Sequence, residues 1–196
     1  MWQWSHSSLS AHSLPWGHGY GGLQVQAGAH VQHAVVVASR KNAPLPPPTV
    51  PVSCGAILLD GRGSLLVVKP TYKSGWSIPG GAMKRDGESP WQACRREVHE
   101  ETNLLVRRGQ LVAVDTRPHV GRQLGLRFLF HCGTISPAAI ARIRVQPDEI
   151  SDFRFVPVSE ALDMLRPAIS RRVAVGLEAR SCVYLEDGRR VGGVVG

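Results

Sequence analysis

From Val52 to Leu59 the chain is almost wholly apolar, and the run stops at Asp60-Gly61. Eight such residues closed by an Asp-Gly turn predict a buried strand, and Ser64 to Lys69 resumes as its hairpin partner. Trp76 to Ile78 predicts a short strand that delivers the chain to Pro79-Gly80-Gly81. The period then changes from two to nearly four. Ser89 can cap a helix, Pro90 suits its first position, and Gln92 completes a capping box. Trp91, Cys94, Val98 and Leu105 fall within about 60° of one another on that helix and are its expected core face. Gln110 to Thr116 and Leu124 to Cys132 read as strands separated by a Pro/Gly loop, and Phe153 to Val158 as another. Ser159 is the expected cap of a short helix to about Leu165, followed by a second from Ala168 to Arg180 that is basic towards both ends. Cys182 to Leu185, Asp187-Gly188 and the residues from Val191 onward predict a terminal hairpin. Strands and helices in this order predict an α/β fold with a mixed sheet.

Residues 1 to 50 are different in kind. They contain no Asp or Glu, and Arg40 and Lys41 are their only basic residues apart from histidine. Five of the eight histidines and three tryptophans stand there among Ser and Gly, ahead of a proline cluster at Pro44, Pro46, Pro47 and Pro48. This composition predicts a poorly ordered, low-complexity extension rather than part of the core. It lacks the basic start and sustained apolar stretch of a secretory signal and the arginines of a transit peptide.

The whole chain has 43% hydrophobic and 19% charged residues, ordinary for a soluble globular protein, and no apolar run nears the ~20 residues that span a membrane. Cys54, Cys94, Cys132 and Cys182 are scattered without zinc-type spacing, so they read as reduced, buried thiols of a cytoplasmic protein. The formal charge is +8, which suits polyanionic ligands in general. No helix-turn-helix, zinc finger or aromatic and basic stripe accompanies it, so nucleic acid is not the expected partner.

The chemistry concentrates between Gly80 and Glu101. Residues Arg95 to Glu101 read Arg-Arg-Glu-Val-His-Glu-Glu. At about 100° per residue, Glu100 lies roughly 60° to one side of Glu97 and Glu101 roughly 40° to the other. Three crowded carboxylates repel on an isolated helix. A hard divalent cation between them and an anionic substrate would relieve that repulsion, because Mg²⁺ takes oxygen ligands and shares its sphere with phosphates.

The stretch Gly81 to Leu104 resembles a Nudix box, the signature of enzymes that hydrolyse nucleoside diphosphates linked to another group. In that pattern Gly and five residues precede a Glu. Seven residues then lead to Arg-Glu, an apolar residue, any residue, Glu-Glu, any residue, Gly and an apolar residue. From Glu88 the spacing is kept through Arg96-Glu97-Val98-His99-Glu100-Glu101-Thr102-Asn103-Leu104. Two departures stand out: six residues separate Gly81 from Glu88, and Asn103 replaces the last Gly. Loop tips absorb insertions, and Asn tolerates the left-handed conformation that the Gly would take. The resemblance implies an α/β/α sandwich with a mixed sheet over residues 51 to 186, with 187 to 196 as a tail. It implies Mg²⁺, or Mn²⁺, held by Glu97, Glu100, Glu101 and the Gly80 carbonyl, with Arg96 orienting Glu88 or Glu97. Glu149, with Asp148 and Asp152 as neighbours, is the candidate general base, and Lys69, Tyr72 and Lys73 are candidates for contacting substrate. Pro118 lies near a position where ADP-ribose pyrophosphatases of the family carry a proline. The implied function is metal-dependent hydrolysis of a pyrophosphate linkage in a small nucleotide, a nucleotide sugar such as ADP-ribose or a non-standard nucleoside triphosphate. A non-hydrolytic nucleotide-binding module and an enzyme acting on RNA 5′ ends are the alternatives, and a homodimer is compatible with each.

Overall fold

The computed structural model describes residues 49–85, 87–119 and 122–194. The expected N-terminal extension therefore lies outside the described residues up to position 48. Seven strands form one mixed sheet in the order β5-β2-β1-β4-β3-β6-β7. They are β1 (Val52–Leu59), β2 (Leu65–Pro70), β3 (Gln110–His119), β4 (Arg122–Thr134), β5 (Ile150–Val156), β6 (Val183–Glu186) and β7 (Arg189–Arg190). The first strand sits between antiparallel β2 and parallel β4, and both of its faces are covered. That position explains the nearly continuous apolar run in its sequence. Cys54, Ala56 and Leu58 face helix α1 (Pro90–Thr102), packing with Ala93, Cys94, Val98 and Phe130. Ile57 faces the other way, towards α3 (Val158–Met164) and α4 (Pro167–Glu178), in a cluster with Leu129, Val112, Ala161 and Val173. The result is a three-layer α/β/α sandwich.

The helix that carries the carboxylates begins as the sequence dictates. Ser89 Oγ accepts from the Gln92 N–H, and the Gln92 side chain accepts from the Ser89 N–H. It ends at Asn103, which adopts a left-handed conformation at φ 61°. That ending overturns one expectation: Leu105 lies past the helix and is 74% exposed. Its angular position was projected along a helix that the left-handed residue has already stopped.

Other boundaries move for local reasons. Trp76 to Ile78 makes only isolated bridges, Ser77 to Val68 and Trp76 to Leu165, and not a strand. β5 starts at Ile150, because its early residues pair with the end of β2. The cap of α3 is Pro157, without a side-chain bond, and Ser159 lies inside the helix. A short helix α2 (Pro137–Ile140), capped by Ser136, was missed in a segment too short to display a period. Pro118 stands within β3 and not in a loop; its side chain lies outside the described residues. At the C-terminus Asp187 and Gly188 turn with φ of 50° and 75°, as a two-residue hairpin with two positive φ angles requires. The second hairpin strand is Arg189–Arg190, ahead of Val191, so the sheet continues past residue 186. All four cysteines are free thiols, and Cys182 is exposed rather than buried.

Candidate active site

The turn Pro79-Gly80-Gly81 runs along β1, with the Ala56 N–H donating to the Pro79 carbonyl and the Cys54 N–H to the Gly81 carbonyl, both at 2.9 Å. Gly80 takes φ +143°, and a Cβ there would collide with the Cys54 carbonyl. At Gly81 a Cβ would stand 2.5 Å from the Glu97 carboxylate. Close approach to the sheet therefore requires glycine at position 80, while glycine at 81 leaves the Glu97 carboxylate the space it occupies.

Three carboxylates converge beside this turn. Oxygens of Glu97, Glu101 and Glu149 lie within 4.8 Å of one another. Glu101 is 3% exposed and accepts the Gly80 N–H at 2.8 Å. Burial, reinforced by Glu97 and Glu149, pushes its carboxyl up to about 8 against the opposing pull of the Gly80 N–H and Lys73. Burial likewise raises Glu97, against the Arg96 guanidinium. Glu149 arrives from the loop before β5, which is fastened to the end of β2 where Thr71 donates to the Glu149 and Asp148 carbonyls. A donor set of three clustered acids, two of them raised by burial, suits a hard cation with oxygen ligands. No backbone N–H among the described residues donates to the Gly80 carbonyl, which leaves that oxygen open to the same use.

Arg96 organises the outer ring of acids. Its Nε and Nη2 grip Glu88 at 2.7 and 3.0 Å, and its Nη1 reaches Glu97 and Glu100 at 2.7 Å each. A fifth bond goes from Nη2 to the Ala82 carbonyl at 3.0 Å, tying the loop to the helix. Arg96, with the Lys84 N–H, holds the Glu88 carboxyl down at about 2. Glu100 lies outside the convergent trio. Its carboxylate is 39% exposed and sits between Arg96 and Lys84. The helical angle is the reason, since Glu101 and Glu100 fall on opposite sides of Glu97. Of the two acids near Glu149 in sequence, Asp148 is exposed and Asp152 pairs with Arg154 at 3.1 Å.

A cleft of about 680 Å³ opens on the other side of the same turn. Gly80 and Gly81 form one wall, Tyr72 and Lys73 part of the rim, and β1, β4 and the start of α4 the rest. Lys73 Nζ rests 4.8 Å from the centre of the Tyr72 ring. Lys69 stands apart, exposed on β2 in register with Asp152.

A model of the NUDIX domain family matches residues 49–174. The chain belongs to the Nudix family. It is 30% identical over 128 residues to Nudix hydrolase 5 of Arabidopsis thaliana, a match covering 60% of this chain and 41% of that protein. The chain thus spans about two fifths of that relative's length. Its fold is similar to the Nudix domain of Shewanella oneidensis NrtR solved with ADP-ribose, with a TM-score of 0.57 and 18% identity over 70% of this chain and 93% of that one. It is also similar to a bifunctional NMN adenylyltransferase/ADP-ribose pyrophosphatase from Francisella tularensis solved with AMP and a manganese ion. There the TM-score is 0.57 and the identity 19%, over 68% of this chain and 42% of the other.

Within this Nudix domain the six-residue loop before Glu88 is accommodated without disturbing the helix. Glu88 still reaches Arg96, and the Lys84 N–H closes the loop on Glu88 at 2.8 Å. Sequence reasoning missed the basic lining of the cleft. Asp115, fully buried in β3, is gripped by Arg172 of α4 through Nε at 2.7 Å and Nη2 at 2.5 Å, and its other oxygen accepts the Gly188 N–H at 3.0 Å. The signal was present as one acid in the apolar run Leu111-Val-Ala-Val-Asp115, since a buried charge requires a partner. Asp187 is likewise shared by Arg171, Arg189 and Arg117, at 2.5, 3.2 and 3.5 Å.

Proposed function

We propose that this protein hydrolyses a pyrophosphate linkage in a nucleoside diphosphate derivative, using Mg²⁺ or Mn²⁺. The observation that carries the reading is the trio Glu97, Glu101 and Glu149 converging beside a side-chain-free turn that also walls a cleft. Family membership and the solved relatives bound to ADP-ribose, or to AMP and manganese, support it.

In this reading Glu97, Glu101 and the Gly80 carbonyl hold the cation, with Glu100 at the edge of the group. The cation's contribution would be to neutralise phosphoryl charge and acidify water. Arg96, permanently charged, fixes Glu97 through one hydrogen bond and anchors its own position on Glu88 through two. The Glu149 carboxylate accepts neither from Arg96, which holds Glu97, nor from the Gly80 N–H, which holds Glu101. It is the group suited to take the proton from water as the water oxygen bonds to phosphorus and the bridging oxygen leaves. Gly81 keeps the space in front of Glu97 clear, and Lys73 and Tyr72 meet the substrate at the cleft rim. Lys69, remote from that rim, is dropped from the substrate contacts.

The test is a panel of nucleotide sugars, dinucleotides and nucleoside triphosphates incubated with the full chain and Mg²⁺, with products resolved by chromatography. The reading expects cleavage within a pyrophosphate linkage for at least one class. Glu149→Gln should lower kcat by at least ~10²-fold while substrate binding persists, as expected for loss of a positioned base.

A further inference from the structure

The cleft beside the carboxylates carries more positive charge than its own acids can use. Lys73, Arg117, Arg127, Arg166, Arg171 and Arg172 line it, against one lining carboxylate, Asp187. Even with Asp115 counted behind the lining, four positive charges remain in excess. Arg172 is taken up by Asp115, and Arg171 and Arg117 share Asp187. Among the described residues, Arg127 and Arg166 have no carboxylate partner.

Arg127 is the informative one. It sits on β4 in register with Ser53 of β1 and Asp115 of β3, so its side chain leaves the sheet on the face that α4 covers. Among the described residues only the Leu126 carbonyl receives a hydrogen bond from it, at 3.3 Å, and a Cβ on Gly125 would stand 2.7 Å from its Nη1. The guanidinium is therefore folded over a glycine and half-buried beside two other arginines. Burial and the charge of Arg172, reinforced by Arg117, weigh against its cationic form, with Asp115, already paired to Arg172, as the opposing influence. Such an arrangement costs stability unless an anion completes it.

Position separates that anion from the scissile linkage. The glycine turn flanks β1 on one side and β4 flanks it on the other. Two strand spacings amount to roughly 10 Å. Arg127 also projects from the sheet face opposite α1, the helix that carries Glu97 and Glu101, so guanidinium and carboxylates approach a ligand from different faces of the sheet. We infer that the cleft binds a further phosphomonoester of the substrate, outside the scissile pyrophosphate, held by Arg127 with Arg166 at the mouth. The substrate class is thus a nucleoside diphosphate derivative that bears an additional phosphate on its sugar. The inference rests on the preceding reading in taking carboxylates and cleft as two parts of one substrate site.

Calorimetry of the full chain in EDTA tests it without any hydrolysis. The probes are AMP, adenosine 2′,5′-bisphosphate and adenosine 3′,5′-bisphosphate. At least one bisphosphate should bind ~10-fold or more tightly than AMP, the scale of one charge-assisted hydrogen bond. Arg127→Gln should bring that bisphosphate to the affinity of AMP, and Arg166→Gln should weaken it in the same direction. Arg62→Gln, on the exposed hairpin turn, should leave the ratio unchanged and so controls for net charge. If Arg127→Gln does not fold, Arg166→Gln and Arg127→Lys carry the comparison, because one is exposed and the other keeps the charge. The inference is overturned if neither bisphosphate exceeds AMP, or if the folded cleft variants keep the preference. Hydrolysis of the nucleotide panel, with nucleoside diphosphate derivatives bearing a 2′- or 3′-phosphate included, is scored separately in Mg²⁺, so selective binding without turnover of any member would refute the hydrolase reading and leave the cleft assignment standing.

Discussion

Replacing Glu101 by Gln should stabilise the metal-free protein and weaken its hold on metal, two effects of opposite sign from one change. Glu101 is buried, and its carboxyl is raised from 4.5 to about 8. Folding therefore favours its protonated form. The stabilisation from that proton is complete below about pH 4.5, where folded and unfolded chains are both protonated. It is lost as pH rises towards and through 8, where the folded state must bury a charge. A shift of this size corresponds to about 5 kcal/mol when fully expressed. Glutamine keeps the acceptor for the Gly80 N–H and has no proton to lose. In EDTA at pH 9, Glu101→Gln should melt roughly 10 °C or more above the parent, at about 2–4 °C per kcal/mol for a domain of this size. At pH 4.5 the two should coincide. Saturating Mg²⁺ at pH 8 should raise the parent's melting temperature and move the variant's little. Thermal unfolding followed by circular dichroism over pH 4.5–9 provides the measurement. The reasoning is refuted if the metal-free variant melts at or below the parent at pH 9, or if Mg²⁺ stabilises both equally.

Gly81→Ala should abolish turnover while changing the melting temperature modestly, because the added Cβ meets the Glu97 carboxylate rather than the core; a variant with parental kcat would show that the space is not used. Asp115→Asn should destabilise by about 3–5 kcal/mol in urea unfolding, since it leaves Arg172 buried without its counter-charge. Deleting residues 1 to 48, a segment without acids and rich in His, Gly and Pro, should leave turnover and melting temperature nearly unchanged; an insoluble truncated chain would contradict this. Glu160→Gln, exposed on α3, should leave turnover at the parental value, separating loss of a site carboxylate from loss of any surface acid.

What could be read from the sequence follows how local the determining physics is. The carboxylate helix was legible because Ser89, Pro90, Gln92 and Asn103 each act within one turn of their own position. The central strands were legible because burial on both faces leaves an apolar run, as in β1. Leu105 failed because a periodic projection carries no information about where a left-handed residue ends it. The convergence of Glu149 on Glu97 and Glu101 depends on Thr71 fastening a loop 78 residues away, which no window of sequence contains. The basic cleft failed for the same reason: its arginines come from β3, β4 and α4 and become neighbours only when β4 inserts beside β1. Asp187 illustrates the consequence: its sequence neighbourhood shows only a hairpin turn, yet it is a hub for three arginines.

The central claim is that the acids beside the glycine turn act through a bound divalent ion on a pyrophosphate. Its most direct test follows hydrolysis of the best substrate in the panel before chelation, in excess EDTA, and after Mg²⁺ is returned, with metal content read by elemental analysis. The account predicts turnover with Mg²⁺, none once the metal is gone, recovery on its return, and no recovery at the same Mg²⁺ concentration in Glu97→Gln. Undiminished turnover by protein verified to be metal-free would contradict it.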